Sequence, residues 1–204
     1  MSALDAARLY FVVEASASDR LLDEALGGGC DVLQLRDHDA PDDELLGAAA
    51  RFRDACDAHG ALFVVNDRPE IALQAGADGV HVGQDDLPVD AVRRLVGPDL
   101  FIGLSTHSPE QFDTGLVSAA DYLSAGPIWE TPTKAGRPAA GLDLIRHAAA
   151  TATKPWFAIG GIDERNIGEV VAAGGRRAVV VRAIRDADDP RAVASALKSR
   201  LSVE

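Results

Sequence analysis

Residues 64–86 read VVNDRPEIALQAGADGVHVGQDD, and they set the pattern for the whole chain. An apolar run stops at Asn66-Asp67, a helical segment follows, and a second apolar run stops at Gln84-Asp85-Asp86. Near-continuous apolar runs of this length suit parallel strands covered on both faces, with the helix as the crossover between them.

Working outward, the same unit recurs. Strands are expected at 9–13, 31–35, 62–66, 79–83, 100–104, 121–126, 156–160 and 178–182. Helices are expected at roughly 19–28, 43–59, 68–76, 88–95, 109–118, 142–151, 164–173 and 189–201. The joints EALGGGCDVLQL, ALQAGADGVHV, LVSAADYLSA and VVAAGGRRAVVV echo one another: small residues, a turn, then a strand. Eight such units in 204 residues predict a minimal (β/α)8 TIM barrel, one α/β domain spanning 1–204. An open doubly wound sheet seldom uses eight strands in a chain this short.

Composition narrows the function classes. Thirty-two acidic residues against 20 basic ones give a net charge of −12, which disfavours a broad nucleic-acid or anionic-membrane surface. No apolar run approaches the roughly 18 residues of a membrane span, and MSALDAARLYFVVEAS lacks the basic start of a signal peptide. A cytoplasmic protein is the expectation, with a homo-oligomer left open. Cys30 and Cys56 have no metal-ligand spacing.

In such barrels the active site lies at the C-terminal ends of the strands. Strands 3 and 4 are parallel neighbours, so Asp67 and Asp86 converge on one point. Paired carboxylates there suit Mg2+, a hard cation that takes oxygen ligands; the plainer alternative is that Asp67 and Asp85 or Asp86 cap the helices that follow. Arg36 and Lys134 suit an anion, one as a fork and the other as a point charge, with His38 beside Arg36. Lys134 alone reads as a solvated loop lysine, but Thr131 and Thr133 flank it in a loop punctuated by Pro and Gly. AIGGID reads either as a phosphate site at a helix N-terminus or as a plain tight turn. His81, between Val80 and Val82, reads as a satisfied core histidine, whereas His107 in LSTHS faces the rim. No nucleophile elbow, dinucleotide fingerprint or P-loop is present.

Together QLRDH, VNDR, GVHVGQDDLP, GLSTHS, GPIWETPTKAGRP and WFAIGGI resemble the thiamine-phosphate synthase family, in order and over nearly the whole chain. The resemblance implies a (β/α)8 barrel that joins a hydroxymethylpyrimidine pyrophosphate to a thiazole phosphate with Mg2+, releasing pyrophosphate. It implies Asp67 and Asp86 as metal ligands. Arg36, Asn66, Thr131, Thr133 and Lys134 would hold the pyrophosphate, with Ser105 and His107 nearby and Arg36, Lys134 and Ser105 closest to the chemistry. Gln34 would address the pyrimidine, and the backbone at Gly160, Gly161 and the Arg182–Ala183–Ile184 turn would hold the thiazole phosphate. Dissociative loss of pyrophosphate needs no strong base, in keeping with a rim rich in anion binders. The chain departs from the family pattern at His38, where a lysine is usual; a histidine titrating near about 6.5 supplies less charge at neutral pH. At Arg182 a small residue would also serve, and its guanidinium would reach a phosphate or pair with Asp186 or Asp188. Two other readings share this fold: a thiazole tautomerase-type isomerase using His107, and a non-catalytic phosphate-ligand binder. The carboxylate pair and TPTK favour the synthase.

Overall fold

The computed structural model describes residues 3–130 and 139–202. Eight parallel strands close a barrel in chain order: β1 (Leu9–Val13), β2 (Val32–Leu35), β3 (Leu62–Asn66), β4 (Gly79–Val82), β5 (Phe101–Thr106), β6 (Tyr122–Ala125), β7 (Trp156–Ile159) and β8 (Ala178–Val180). The seam is β8 on β1, with Tyr10 opposite Val179. The helices that follow β1 to β7 are α2 (Asp19–Gly27), α3 (Asp42–His59), α4 (Pro69–Gln74), α5 (Val89–Val96), α6 (Pro109–Val117), α7 (Gly141–Thr151) and α8 (Ile167–Ala172). The predicted barrel and all eight predicted strands are present.

Local chemistry explains the element ends. Helix α3 buries Leu45, Ala48, Ala49, Phe52 and Cys56, a stripe at helical spacing, and stops at Gly60 with φ +66°, the left-handed cap that glycine takes most easily. Burying Phe52 alone contributes about 1.5–3 kcal/mol. Proline opens α4 and α6, where its missing N–H has no intrahelical role to lose, and Ser108 caps α6 by accepting from Gln111 N.

The repeated joints have a physical cause. Asp31, Asp78 and Asp121 each stand immediately before an even strand, and each clasps one residue of the preceding odd strand twice. Their amides donate to Leu9 O, Phe63 O and Ile102 O at 2.7–2.8 Å, while their Oδ2 atoms accept from the N–H of the same three residues at 2.7–2.9 Å. Lys198, Arg53 and Arg93 neutralise the three carboxylates. Before β8 the equivalent residue is Arg177, which turns instead to Ala7 O (3.0 Å) and Asp5 O (2.9 Å). We predict that Asp78→Ala removes about 2 kcal/mol by orphaning Phe63 N–H and half of Arg53's pairing. That lowers the melting temperature by about 4–8 °C in a chain of this size. Activity at 25 °C should be unchanged, because this joint lies at the barrel end remote from the candidate site.

Two apolar clusters result. The larger fills the layer between strands and helices; the smaller lies inside the barrel, around Tyr10, Val12, Val32, Val64, Tyr122 and Phe157. Phe157 meets Tyr10 and Tyr122 edge-on at 5.4 and 5.7 Å between centroids, the favoured aromatic geometry.

Three expectations change. A short helix α1 (Ala3–Ala6) precedes β1 and sends Leu4 into the inner cluster. The last predicted strand is shorter, because Arg182 opens a further short helix, α9 (Arg182–Arg185), which drops Ile184 into the outer core before α10 (Pro190–Leu201). Helix α8 starts at Ile167 rather than near 164, because Asp163 N donates to Asn166 Oδ1 (2.9 Å) and a turn intervenes.

Candidate functional site

The C-terminal rim holds two adjoining hollows of about 320 and 300 Å3. The first is mainly apolar and runs from Tyr10 and Gln34 to Gly160, Gly161, Arg182 and Ala183. The second is polar and runs from Arg36 and His38 to Asp67, Gln84, Asp85 and Asp86. Arg36, Asn66, Ser105 and His107 line both, so they mark the seam between the hollows.

The acidic side is built by two turns. At the end of β3, Asp67 adopts φ +58°, alone among the described non-glycine residues in having positive φ. Aspartate tolerates the left-handed region better than most side chains, and such outliers gather where geometry serves a site. Asp67 N donates to His81 O (2.8 Å) on the neighbouring strand, and Asn66 Nδ2 donates to the Asp67 carboxylate. After β4, Asp86 Oδ2 accepts from Gly83 N at 2.7 Å and closes its own turn.

The two carboxyl groups come within hydrogen-bond reach of one another. Burial pushes the Asp67 carboxyl up, the bond to Asp86 and its charge add to that, and Arg36 and Asn66 pull the other way; the result is about 6. The capping alternative is corrected here. The residues at the helix starts are Arg68 and Pro88, and neither α4 nor α5 has a side-chain cap bond. Among the described residues no three His, Cys, Asp or Glu side chains gather as a ready metal cage. A pair of carboxylates is nonetheless the usual protein share for Mg2+, which keeps waters or phosphate oxygens in its other positions. Burial is the main reason the Asp67 carboxyl is raised and Asp86 adds to it; a cation between the two carboxylates would lower both contributions.

His38 lies beside this pair, with Nδ1 3.6 Å from Asp67 Oδ2 and a half-exposed ring. His107 donates from Nδ1 to Gly126 O at 2.5 Å, since a carbonyl can only accept, while its amide donates to Gln111 Oε1 (2.8 Å). His81 is buried with both ring nitrogens bonded, as expected of a core histidine, yet it also forms part of the first hollow's floor.

On the far side, Gly160 and Gly161 have φ +110° and +71°. A Cβ on Gly160 would lie 2.5 Å from Pro127 Cα, so the close approach requires glycine. The helix N-terminus expected beside them is absent from that place, because α8 begins only at Ile167. Arg182 and Ala183 line the hollow as the first residues of α9, whose opening amides lack partners within the helix. Ile184 does not line it: its side chain is fully buried and its N–H donates to Val181 O (3.3 Å). Asp186 pairs with Arg185 at 2.6 Å and also feels the charge of Arg182. Thr131, Thr133 and Lys134 fall outside the described residues.

Tyr10, Ser124, Gln84 and Arg165 also line the hollows and were not anticipated. Tyr10 and Ser124 sit inside strands, and only the inward phase of the alternation would have marked them; Gln84 belongs to the strand end that was read, two residues before the candidate Asp86.

The described chain contains no helix long and apolar enough to cross a membrane. Residues 9–184 match the family model described as thiamine monophosphate synthase. The thiamine-phosphate synthase of Acidothermus cellulolyticus is 51% identical over 202 residues, covering 96% of this chain and 95% of that one. That of Thermobifida fusca is 51% identical over 205 residues, covering 97% and 94%. Among solved structures, the thiamine phosphate pyrophosphorylase of Pyrococcus furiosus superposes with a TM-score of 0.90 at 30% identity, covering 98% of each chain. Tryptophan synthase of Mycobacterium tuberculosis superposes at 0.70 with 15% identity, a likeness of fold alone.

Proposed function

The chain belongs to the thiamine monophosphate synthase family, and from that premise we propose that it joins a pyrimidinylmethyl diphosphate to a thiazole phosphate with the help of Mg2+. The observation that carries this reading is the division of the rim into an apolar hollow and an acidic one, joined at Arg36, Asn66, Ser105 and His107. A substrate with a flat ring at one end and a diphosphate at the other would lie across that seam, with the bond to be broken above the shared residues.

Each group then has a task. Gln34, buried at the floor, offers its carboxamide to the edge of the pyrimidine. Arg36 forks onto diphosphate oxygens, and Ser105 Oγ donates to another. Asp67 and Asp86 would hold Mg2+, which when bound offsets the charge that gathers on the leaving diphosphate. The C–O bond breaks with its electron pair going to the diphosphate. The thiazole nitrogen, held by its phosphate against the Gly160–Gly161 loop and the start of α9, supplies the pair for the new C–N bond. No proton need be removed, so the step requires no general base. Apolar walls exclude the water that would otherwise capture the cation. Thr131, Thr133 and Lys134 are proposed to add diphosphate contacts, and a cytoplasmic location is proposed from the substrates.

A direct coupling assay tests this. Purified protein, Mg2+ and the two substrates should yield thiamine phosphate and pyrophosphate by chromatography, and chelation should stop it. No product from folded protein between about pH 5.5 and 8.5 would sink the proposal.

His38 supports a further prediction. His38→Lys should raise kcat/KM about three- to tenfold at pH 8 and less at pH 6, since lysine carries its charge at both values whereas an ordinary histidine is largely neutral at the higher one. An unchanged pH profile would remove His38 from the diphosphate's surroundings.

A further inference from the structure

Below the rim, five side chains form one continuous hydrogen-bonded chain across the barrel floor. Gln34 Nε2 donates to Tyr10 Oη at 2.6 Å. Tyr10 Oη lies 3.0 Å from Tyr122 Oη, Tyr122 Oη lies 3.1 Å from His81 Nδ1, and His81 Nε2 lies 2.9 Å from Ser105 Oγ. Its ends, Gln34 and Ser105, are the two residues assigned to opposite parts of the pyrimidine substrate. Its middle is made of Tyr10, Tyr122 and His81, and the chemistry above uses none of them.

The sense of the chain follows from counting protons. Tyr10 Oη accepts from Gln34, so its single proton goes to Tyr122 Oη. The proton of Tyr122 then goes to His81 Nδ1, which carries none, leaving the imidazole proton on Nε2 for Ser105 Oγ. The serine hydroxyl, already accepting, turns its own proton toward the hollow. At the other end Gln34 keeps its carbonyl oxygen and its second N–H for a ligand. Burial raises both tyrosines' pKa values, so both remain donors at any physiological pH.

The fold makes room for this chain. Gly103 lies mid-strand in β5, where glycine gives up packing and adds disorder to the unfolded state. A Cβ there would stand 2.2 Å from Tyr122 Cζ and 2.3 Å from His81 Nδ1, so any larger residue would break the central link.

Resting on the proposed function, we propose that Tyr10, Tyr122 and His81 are positioning residues, which fix together the carboxamide sense of Gln34 and the outward donation of Ser105. The pyrimidine edge and the leaving diphosphate are thus met by groups whose orientation is set before either binds. Reversing the whole chain would point Ser105's proton inward and exchange the donor and acceptor that Gln34 offers.

The first readout needs no activity. Long-range nitrogen–proton spectra of 15N-labelled protein, with the His81 signals assigned by their loss in His81→Asn, should show one tautomer with a bare Nδ1. In Tyr122→Phe, which keeps the ring and its packing, the two tautomers should mix. Kinetically, Tyr122→Phe should lower kcat about tenfold with the thiazole phosphate KM unchanged. Combined with Ser105→Ala it should lose less than the product of the two single losses, because the two changes share the serine hydroxyl and only the hold on Gln34 remains to be lost. If Tyr122→Phe does not fold, Tyr10→Phe is read in the same two ways. A proton on Nδ1 in the unsubstituted protein, or losses that multiply in the double variant, would overturn the proposal. Lack of product from the unsubstituted protein would overturn the synthase reading instead and leave the tautomer result to decide the hydrogen-bond chain.

Discussion

Asp67→Asn is expected to lower kcat/KM by about a thousandfold and, in the same molecule, to raise the melting temperature of the metal-free protein at pH 8. The loss follows from removing one of two anionic oxygen ligands while keeping size and shape; single groups that stabilise developing charge are worth about 10²–10³ or more in rate. The gain follows from the direction of the Asp67 shift. Its carboxyl stands at about 6 in the folded chain, because of burial and Asp86, against roughly 3.9 unfolded. A carboxyl raised on folding is a liability once ionised. The protein is unburdened below about pH 4, loses stability as pH climbs from 4 to 6, and carries the full deficit above 6. Two units correspond to about 3 kcal/mol, but the group keeps substantial contact with water, so about 1 kcal/mol is the realistic figure. That is roughly 2–4 °C for a chain of this size. Asparagine also suits the φ of +58°. Thermal melts of both proteins should therefore coincide near pH 4 and separate by pH 8, and Mg2+ should close the gap by raising only the unsubstituted protein. A less stable Asp67→Asn protein at pH 8 would mean the carboxylates do not repel, and with that the case for a cation between them fails.

The barrel was legible because its signals are periodic and local: apolar runs, helical segments and small-residue joints before strands repeat along the chain. The rim residues were legible for a related reason. A strand's last residue is marked by where the apolar run ends, so Arg36, Asn66, Asp67 and Ser105 could be read off directly. What escaped was phase and register. Tyr10 and Tyr122 look like ordinary strand aromatics until the register opposes His81 to Gly103 and Gly103 to Tyr122, bringing three polar atoms to one point. Helix α9 escaped because the β-branched run Val179, Val180 and Val181 leads straight into Arg182, and the turn into RAIR goes with a tertiary demand, the burial of Ile184. The misplacement of α8 is of the same kind, since Asn166 spends its side chain on Asp163 N and Gly161 O rather than on extending a helix.

Arg36 offers the sharpest test of the seam, because it is assigned two separable effects. It faces both hollows, and its charge holds the Asp67 carboxyl below where burial and Asp86 alone would put it. Arg36→Met should therefore do two things. Loss of the fork onto the diphosphate should lower kcat/KM by about 10²–10³. Loss of the cation should raise the Asp67 carboxyl above 6, so that protons compete with Mg2+ over a wider range and the acid limb of Mg2+ affinity moves to higher pH. Arg36→Lys separates the two. A lysine restores the positive charge near Asp67, so the acid limb should return, but an ammonium cannot fork onto two oxygens, and the rate should remain about 30-fold low. Isothermal titration of Mg2+ from pH 5 to 8, beside steady-state kinetics, measures both. If Arg36→Met leaves the pH dependence of Mg2+ affinity where it was, the charge of Arg36 does not reach the carboxylate pair. If Arg36→Lys recovers the full rate, the contact is a point charge and the planar recognition assigned to it is wrong. Recovery of the acid limb without recovery of the rate is the result that the two hollows, sharing one guanidinium, require.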